Sequence, residues 1–232
     1  MGRTGHQIVA QIAKHFLDPT TAKTVQKYLG STTFEDAAVW MAEMRSNPVY
    51  SLTKTWHYLN LEKDAVYVTT DGEDIVARLI LTINELKHKQ TLSDAQIKTD
   101  LLLLFHLLGD LHQRLHVGYG IDKGGNTIKV DFLGMPTNLH SVWDNGIIEH
   151  EHITTEDCLT TYHDIPSGTL SVIKNIDVVF WMNDSRQHLM QVYNFTGGKL
   201  DEAYSSQNKI PVEWQLIEAG IRLASVLPSH FA

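Results

Sequence analysis

Apolar residues recur at helical spacing from the first turns of the chain. Ile8, Ile12, Ala13 and Phe16 share one face after Gly5, and Pro19 closes that segment. A second helix is predicted over residues 22–29, ended by Gly30, and a third over residues 33–45, bounded by Pro48. An irregular stretch then leads to Trp56-His57-Tyr58. Ile75, Leu79, Ile80, Ile83 and Leu86 mark a long amphipathic helix. The next starts at Ser93, with Gln96 three residues on as a capping-box partner, and runs to about Asp110. Its block around Leu101–Leu104 is apolar nearly all round, so this helix belongs inside the molecule. The glycines from Gly118 to Gly125 predict a loop, and alternating Ile128, Val130 and Phe132 predict a short strand or hairpin near residues 126–133. Helical patterns return at residues 139–149, around 173–193 and at 212–226. With no internal repeat, linker or charge block, the pattern predicts a mainly α fold, a helical bundle in a single domain over residues 1–232.

The chain has 232 residues, enough for a sizeable core, and 43% of them are hydrophobic. No apolar run approaches the ~20 residues that cross a bilayer. Cys158 is the only cysteine, which excludes an intramolecular disulfide and any thiolate-built metal cluster. The formal charge of -8 argues against a broad basic surface for duplex DNA. The first residues are polar and show no signal-peptide pattern.

Thirteen histidines give the chain its candidate chemistry. His106 and Asp110 stand four apart on the buried helix, so both project from one face toward a common point. His140 and Asp144 repeat the spacing. A carboxylate such as Asp110 among leucines is costly without a cation or donors, and a divalent ion meets that need directly. His6, His57, His112 and His116 are further candidate ligands, and spacing alone does not choose between His112 and His116. His150 and His152, flanked by Glu149 and Glu151, read as a solvated helix end. Imidazole and carboxylate without thiolate suit zinc better than calcium or magnesium. Clustered zinc ions suit phosphoryl chemistry, because they activate water and neutralise charge on the phosphoryl oxygens.

Taken together, these motifs resemble the S-one/P-one nuclease family, trinuclear-zinc enzymes that cleave single-stranded DNA and RNA and remove 3′-phosphates. The resemblance is carried by Gly-Arg-Thr-Gly-His ending at His6, Thr-Trp-His-Tyr-Leu-Asn at 55–60 and Phe-His-Leu-Leu-Gly-Asp-Leu-His-Gln-Arg-Leu-His-Val-Gly at 105–118. Gly-Gly-Asn at 124–126 and Asn-Leu-His-Ser-Val-Trp-Asp at 138–144 complete it. It implies a helical bundle around three zinc ions. The α-amino group and carbonyl of Met1, with His6 and Asp110, would hold one ion. His57 and His106, with Asp110 bridging, would hold the second, and His116, His140 and Asp144 the third. The choice of His116 over His112 comes from the resemblance. Tyr58, Asn60 and Asn126 would form the substrate pocket, with an aromatic face to stack a base. Arg45 would contact phosphate, and Arg45 and Asp110 are the implied catalytic groups.

Three positions depart from the family pattern. Met1 replaces a Trp, and its backbone can still serve as ligand if the initiator Met is retained. Ala42 stands where the family has an Asp ligand to the zinc of His57 and His106, so a ligand and an orienter of the attacking water are lost. Arg114 replaces a Pro and is expected to add charge near the third zinc. Fewer than three ions and impaired turnover are the expected consequences. The resemblance further implies single-stranded nucleic acid and 3′-nucleotides as partners, a monomer, and a secreted or periplasmic location. A zinc phospholipase C of the same fold is the alternative enzyme, but it uses Glu as the last carboxylate ligand. A non-catalytic zinc- and nucleic-acid-binding relative is the third reading, supported by Ala42.

Overall fold

A computed structural model describes residues 1–163 and 165–231. The helices are α1 Arg3–Phe16, α2 Pro19–Leu29, α3 Phe34–Met44, α4 Ile75–Lys87, α5 Asp94–His112, α6 Leu139–Ser141 and α7 Ile147–His150. They continue as α8 Thr155–Tyr162, α9 Ser167–Lys174, α10 Val178–Gln187, α11 Leu189–Val192, α12 Glu202–Val226 and α13 Pro228–Phe231. The structure is 69% helical with one small sheet, as the sequence pattern predicts. No helix of the described residues is long and apolar enough to cross a membrane.

The bundle is organised around α5, which is buried without interruption from Asp100 to His112. Its capping box forms as expected: Gln96 N–H donates to Ser93 Oγ at 3.3 Å, and Ser93 N–H donates back to Gln96 Oε1 at 2.9 Å. Each fully buried leucine of this helix contributes roughly 1.5–3 kcal/mol of apolar transfer free energy, which sets its place at the centre. Helices α1, α3, α4 and α12 pack around it. At Gly220 a Cβ would meet Ile12 Cγ2 at 2.4 Å, so the missing side chain is what lets α12 approach α1.

Several boundaries differ from the sequence pattern for identifiable reasons. The second helix begins at Pro19 rather than at residue 22. Proline at the first helical position sacrifices only an N–H that has no partner there, and Asp18 accepts from Thr20 and Thr21 N–H at 2.9 Å. The stretch before His57 is a 3₁₀ run, Pro48–His57. The pattern at residues 139–149 resolves into α6, a π turn over Val142–Gly146, and α7. The pattern around 173–193 splits into the end of α9, then α10 and α11. The last long helix starts at Glu202, capped by Asp201, and runs through Pro211. Helix α8 carried no strong period and was not expected.

The strand expectation is met by a hairpin. β1 Lys129–Phe132 pairs antiparallel with β2 Met135–Asn138, Val130 opposite Thr137, and β3 Lys199–Leu200 adds in parallel beside β1. Leu133 and Gly134 both have positive φ (54° and 86°), the geometry of a two-residue turn whose twist matches the strands. The hairpin delivers the chain from the glycine loop directly into His140.

Candidate metal centre

Helix α5 carries His106 and Asp110 on one face, and three other segments bring donors to the same carboxylate. Asp110 Oδ1 lies 2.8 Å from the Met1 nitrogen and 3.2 Å from His6 Nε2. Asp110 Oδ2 lies 2.9 Å from His57 Nδ1 and 3.1 Å from His106 Nε2. All of these groups are buried. His57 arrives from the end of the 3₁₀ run, and His6 from the first turns of α1. Gly109 makes room for His6, because a Cβ there would stand 2.7 Å from its Nδ1.

A second group adjoins the first. His116 Nε2 lies 3.2 Å from Asp144 Oδ1, and His140 Nε2 lies 3.5 Å from Asp144 Oδ2. The π turn at Val142–Gly146 keeps His140 and Asp144 within reach of each other. The Met1 nitrogen stands between the two groups, 3.0 Å from Asp144 Oδ1 and 2.7 Å from His116 Nε2.

The outer nitrogens of the rings reveal how they are aimed. His106 Nδ1–H donates to Ala38 O at 2.7 Å, His116 Nδ1–H to His57 O at 2.6 Å, and His140 Nδ1–H to Gly124 O at 2.8 Å. A carbonyl only accepts, so each Nδ1 carries the proton and each Nε2 keeps its lone pair inward. His6 is the exception that defines the site: it is 1% exposed, and neither ring nitrogen makes a hydrogen bond among the described residues. Such an orphan imidazole costs desolvation free energy unless a further partner takes its lone pair.

Electrostatics put His6, His57, His140, Asp110 and Asp144 in ligand form, whereas the Asp110 and Asp144 charges overcome burial and push the Met1 amine up, keeping it an ammonium. Burial, with the neighbouring His106, pushes the His6 imidazole down to about 3. Burial, with His116, takes His140 down to about 4, and burial also lowers His57. Burial alone would raise Asp110, but His116, the terminal amine, His106 and His6 outweigh it and hold the carboxyl well below its usual range. Asp144 is held low in the same way, burial being overcome by the amine and His116. The imidazoles of His6, His57 and His140, shifted toward their neutral form, face the ionised Asp110 and Asp144, a donor set that fits zinc. Two trios, His6 with His106 and Asp110, and His116 with His140 and Asp144, each have ligand atoms within 4.8 Å of one another.

These groups open into a cavity of about 410 Å³. Tyr58, Asn60, Asn126, Arg45 and Ala42 all line it, beside His57, His106, Asp110 and Asp144. The sequence-predicted residues are therefore gathered in one place. Ala42, in the last turn of α3, contributes to the wall of the same cavity.

Other expectations resolve differently. His112 turns away from the cavity: its Nδ1–H donates to Leu108 O at 2.7 Å and its Nε2 accepts from Arg222 at 2.7 Å. Arg114 does not line the cavity and does not put its charge beside His116. Its guanidinium lies 5.3 Å from the Trp143 ring and donates to Gln191 Oε1 at 3.3 Å. Burial pulls it down to about 10, against the Glu218 and Asp184 charges behind the site. His150 pairs with Glu202 at 2.8 Å, at a helix end as expected. Gln113 went unread in the sequence. It is fully buried, its Nε2 donates to Asp144 Oδ1 at 2.7 Å, and its Oε1 accepts from Leu115 N–H at 2.6 Å. An amide between two candidate histidines was the only available signal. Lys123, in the glycine loop, is also on the cavity wall, a position that no sequence signal marks.

The family described as S1/P1 Nuclease matches residues 1–232. Endonuclease 2 of Arabidopsis thaliana is 27% identical over 269 residues, covering 99% of this chain and 90% of that protein. Endonuclease 3 of the same plant is 32% identical over 270 residues, covering 100% of this chain and 89% of its own length. Nuclease P1 of Penicillium citrinum is 30% identical over 154 residues, 62% of this chain and 56% of that protein.

Proposed function

The chain belongs to the S1/P1 nuclease family, and on that premise we propose that it is a zinc-dependent phosphodiesterase of single-stranded DNA and RNA that also removes 3′-phosphates. The observation that carries this reading is the buried Asp110 carboxylate, with inward imidazole lone pairs around it and an orphan His6 beside it. We assign Met1, His6 and Asp110 to one ion, His57, His106 and Asp110 to a second, and His116, His140 and Asp144 to a third. When bound, zinc supplies Lewis acidity that activates water and offsets charge on the phosphoryl oxygens.

The chain's own residues supply the rest. The exposed Tyr58 ring offers a stacking face for one base, and Asn60 and Asn126 offer amides for its polar edge. A base must leave the duplex to reach that face, which favours single strands. Arg45 has no ion-pair partner among the described residues, so its guanidinium is free to hold phosphate oxygens. Asp110, with one oxygen toward Met1 and His6 and the other toward His57 and His106, would be shared by two of these ions. Gln113 holds Asp144 toward His116 and His140. With Ala42 in the wall, His57, His106 and Asp110 would be the three protein residues left to hold the second ion, a number that supports catalysis in other zinc sites. The reading also takes the protein to be an exported monomer.

Elemental analysis of the purified protein, paired with hydrolysis of denatured and duplex DNA and of phosphatidylcholine, tests this function. Bound zinc with turnover confined to denatured DNA is the expected result. Zinc without turnover identifies a binding protein, and turnover of the lipid alone identifies a phospholipase.

A further inference from the structure

Two segments that carry different parts of the site run side by side outside the sheet. Residues 58–62 hold Tyr58 and Asn60, and residues 116–118 continue from His116. Leu59 N–H donates to His116 O at 2.7 Å and Leu61 N–H to Gly118 O at 3.1 Å. Donors two apart on one segment meet acceptors two apart on the other, as in a short parallel ladder. With the hydrogen bond from His116 Nδ1–H to His57 O at 2.6 Å, three hydrogen bonds join these stretches, and Leu61 N–H to Gly118 O is the last of them before each runs on into loop.

One side chain closes that ladder. Arg186, from α10, donates through Nη1 to Val117 O at 2.5 Å and Gly118 O at 3.2 Å. Through Nη2 it donates to Leu61 O at 3.1 Å and Glu62 O at 3.0 Å. The guanidinium also lies 5.8 Å from the Tyr119 ring. It makes no ion pair within the described residues, so its hydrogen bonds go to backbone carbonyls. A planar guanidinium has donors in a fixed fork, whereas an ammonium is a point charge that cannot hold two carbonyl pairs at a set separation.

We infer that Arg186 is a positioning residue that sets the distance between the Tyr58–Asn60 pocket and His116, and so the register between a bound base and the phosphate. The inference rests on the proposed role of Tyr58 and Asn60 in binding a base. Arg186 reaches no substrate itself. Its loss should let the pocket drift relative to the metal ligands, weakening binding that uses both places at once and sparing binding that uses only one.

The test uses the zinc-loaded protein and its Arg186→Gln and Arg186→Lys variants. Titration calorimetry measures Kd for adenosine 5′-monophosphate, which engages both places, and for inorganic phosphate, which engages one. We expect the nucleotide Kd to rise roughly tenfold in both variants, with phosphate Kd and zinc content within about twofold of the unaltered protein. On denatured DNA the loss should fall in KM more than in kcat. If Arg186→Gln does not fold, Arg186→Lys decides, since it keeps the charge and loses only the fork. An unchanged nucleotide Kd, or a parallel loss of phosphate affinity and zinc, overturns the role of Arg186 alone. Unaltered protein that binds nucleotide no better than phosphate overturns the base pocket, and this inference with it.

Discussion

His106 and His112 lie on the same helix, in equally buried surroundings, and have opposite fates. On one side of α5, His106 faces Asp110, and the group collects two carboxylates, several imidazoles and one ammonium, that of Met1. On the other side, His112 accepts from Arg222, whose other nitrogen donates to Asp184 Oδ2 at 2.7 Å and reaches Glu218 Oε1 at 3.5 Å. Burial, then the Arg222 charge, pushes His112 down to about 3, so it stays neutral. Burial lifts Glu218 to about 7 despite the attraction of Arg222. The rear group contains its own cation and nearly closes its hydrogen bonds. The front group sets two carboxylates against one ammonium, and neither ring nitrogen of His6 makes a hydrogen bond among the described residues. A buried polar cluster that is complete in itself is structural. One with converging lone pairs and excess negative charge is built for an added cation.

Substitutions on either side should separate these roles. The largest effect is expected at the rear. Arg222→Met leaves Asp184 and His112 facing an uncharged side chain, and stability should fall by about 3–5 kcal/mol in urea unfolding, with zinc content unchanged. Loss of zinc in that variant would erase the distinction between the two clusters. At the front, Asp110→Asn removes the carboxylate shared by two of the assigned ions. Zinc content should drop, and turnover on denatured DNA should decline more than ~100-fold, beyond the range for residues that only support a ligand. Full zinc occupancy in Asp110→Asn would mean that the ions sit elsewhere.

A gentler pair sharpens the same contrast. His112→Gln should cost about 1–3 kcal/mol of stability through the disturbed Arg222 contact and keep its zinc, whereas His106→Gln should lose zinc first. Metal analysis beside thermal unfolding reads both, and identical behaviour of the two variants would refute the assignment. The smallest effect is a gain. Ala42→Asp puts a carboxylate on the cavity wall, and kcat should rise at least ~10-fold at matched zinc occupancy, with a smaller change in KM. Equal kcat values would place the missing ligand at another residue.

Much of this molecule was legible before any tertiary contact. The apolar spacing of Ile8, Ile12 and Ala13, the continuous apolar block of α5 and the capping box at Ser93 each act within a few turns of chain, so local pattern suffices to read them. The pairs His106 with Asp110 and His140 with Asp144 were legible for the same reason, since a helix fixes neighbours four apart. Reading failed where a residue's meaning depends on a distant partner. Strand β2 has exposed Met135 and Pro136 and no alternation, so only its pairing with β1 makes it a strand. One local signal also went unread: Pro19 follows the end of α1, as expected, and opens α2 as well, with the neighbouring Asp18 capping that turn.

The choice between His112 and His116 shows where the boundary lies. Both are histidines near the end of α5, and spacing treats them alike. The sequence by itself determined a mainly α chain with a buried helix, two ligand pairs at helical spacing and, through resemblance, the full candidate set. Tertiary structure alone turned His112 toward Arg222, sent Arg114 to Gln191, set Gln113 against Asp144 and brought Arg186 to four carbonyls. Local periodicity reports which face of an element is apolar. Which polar group meets which across the core depends on contacts between residues far apart in sequence, and only the packed bundle decides those.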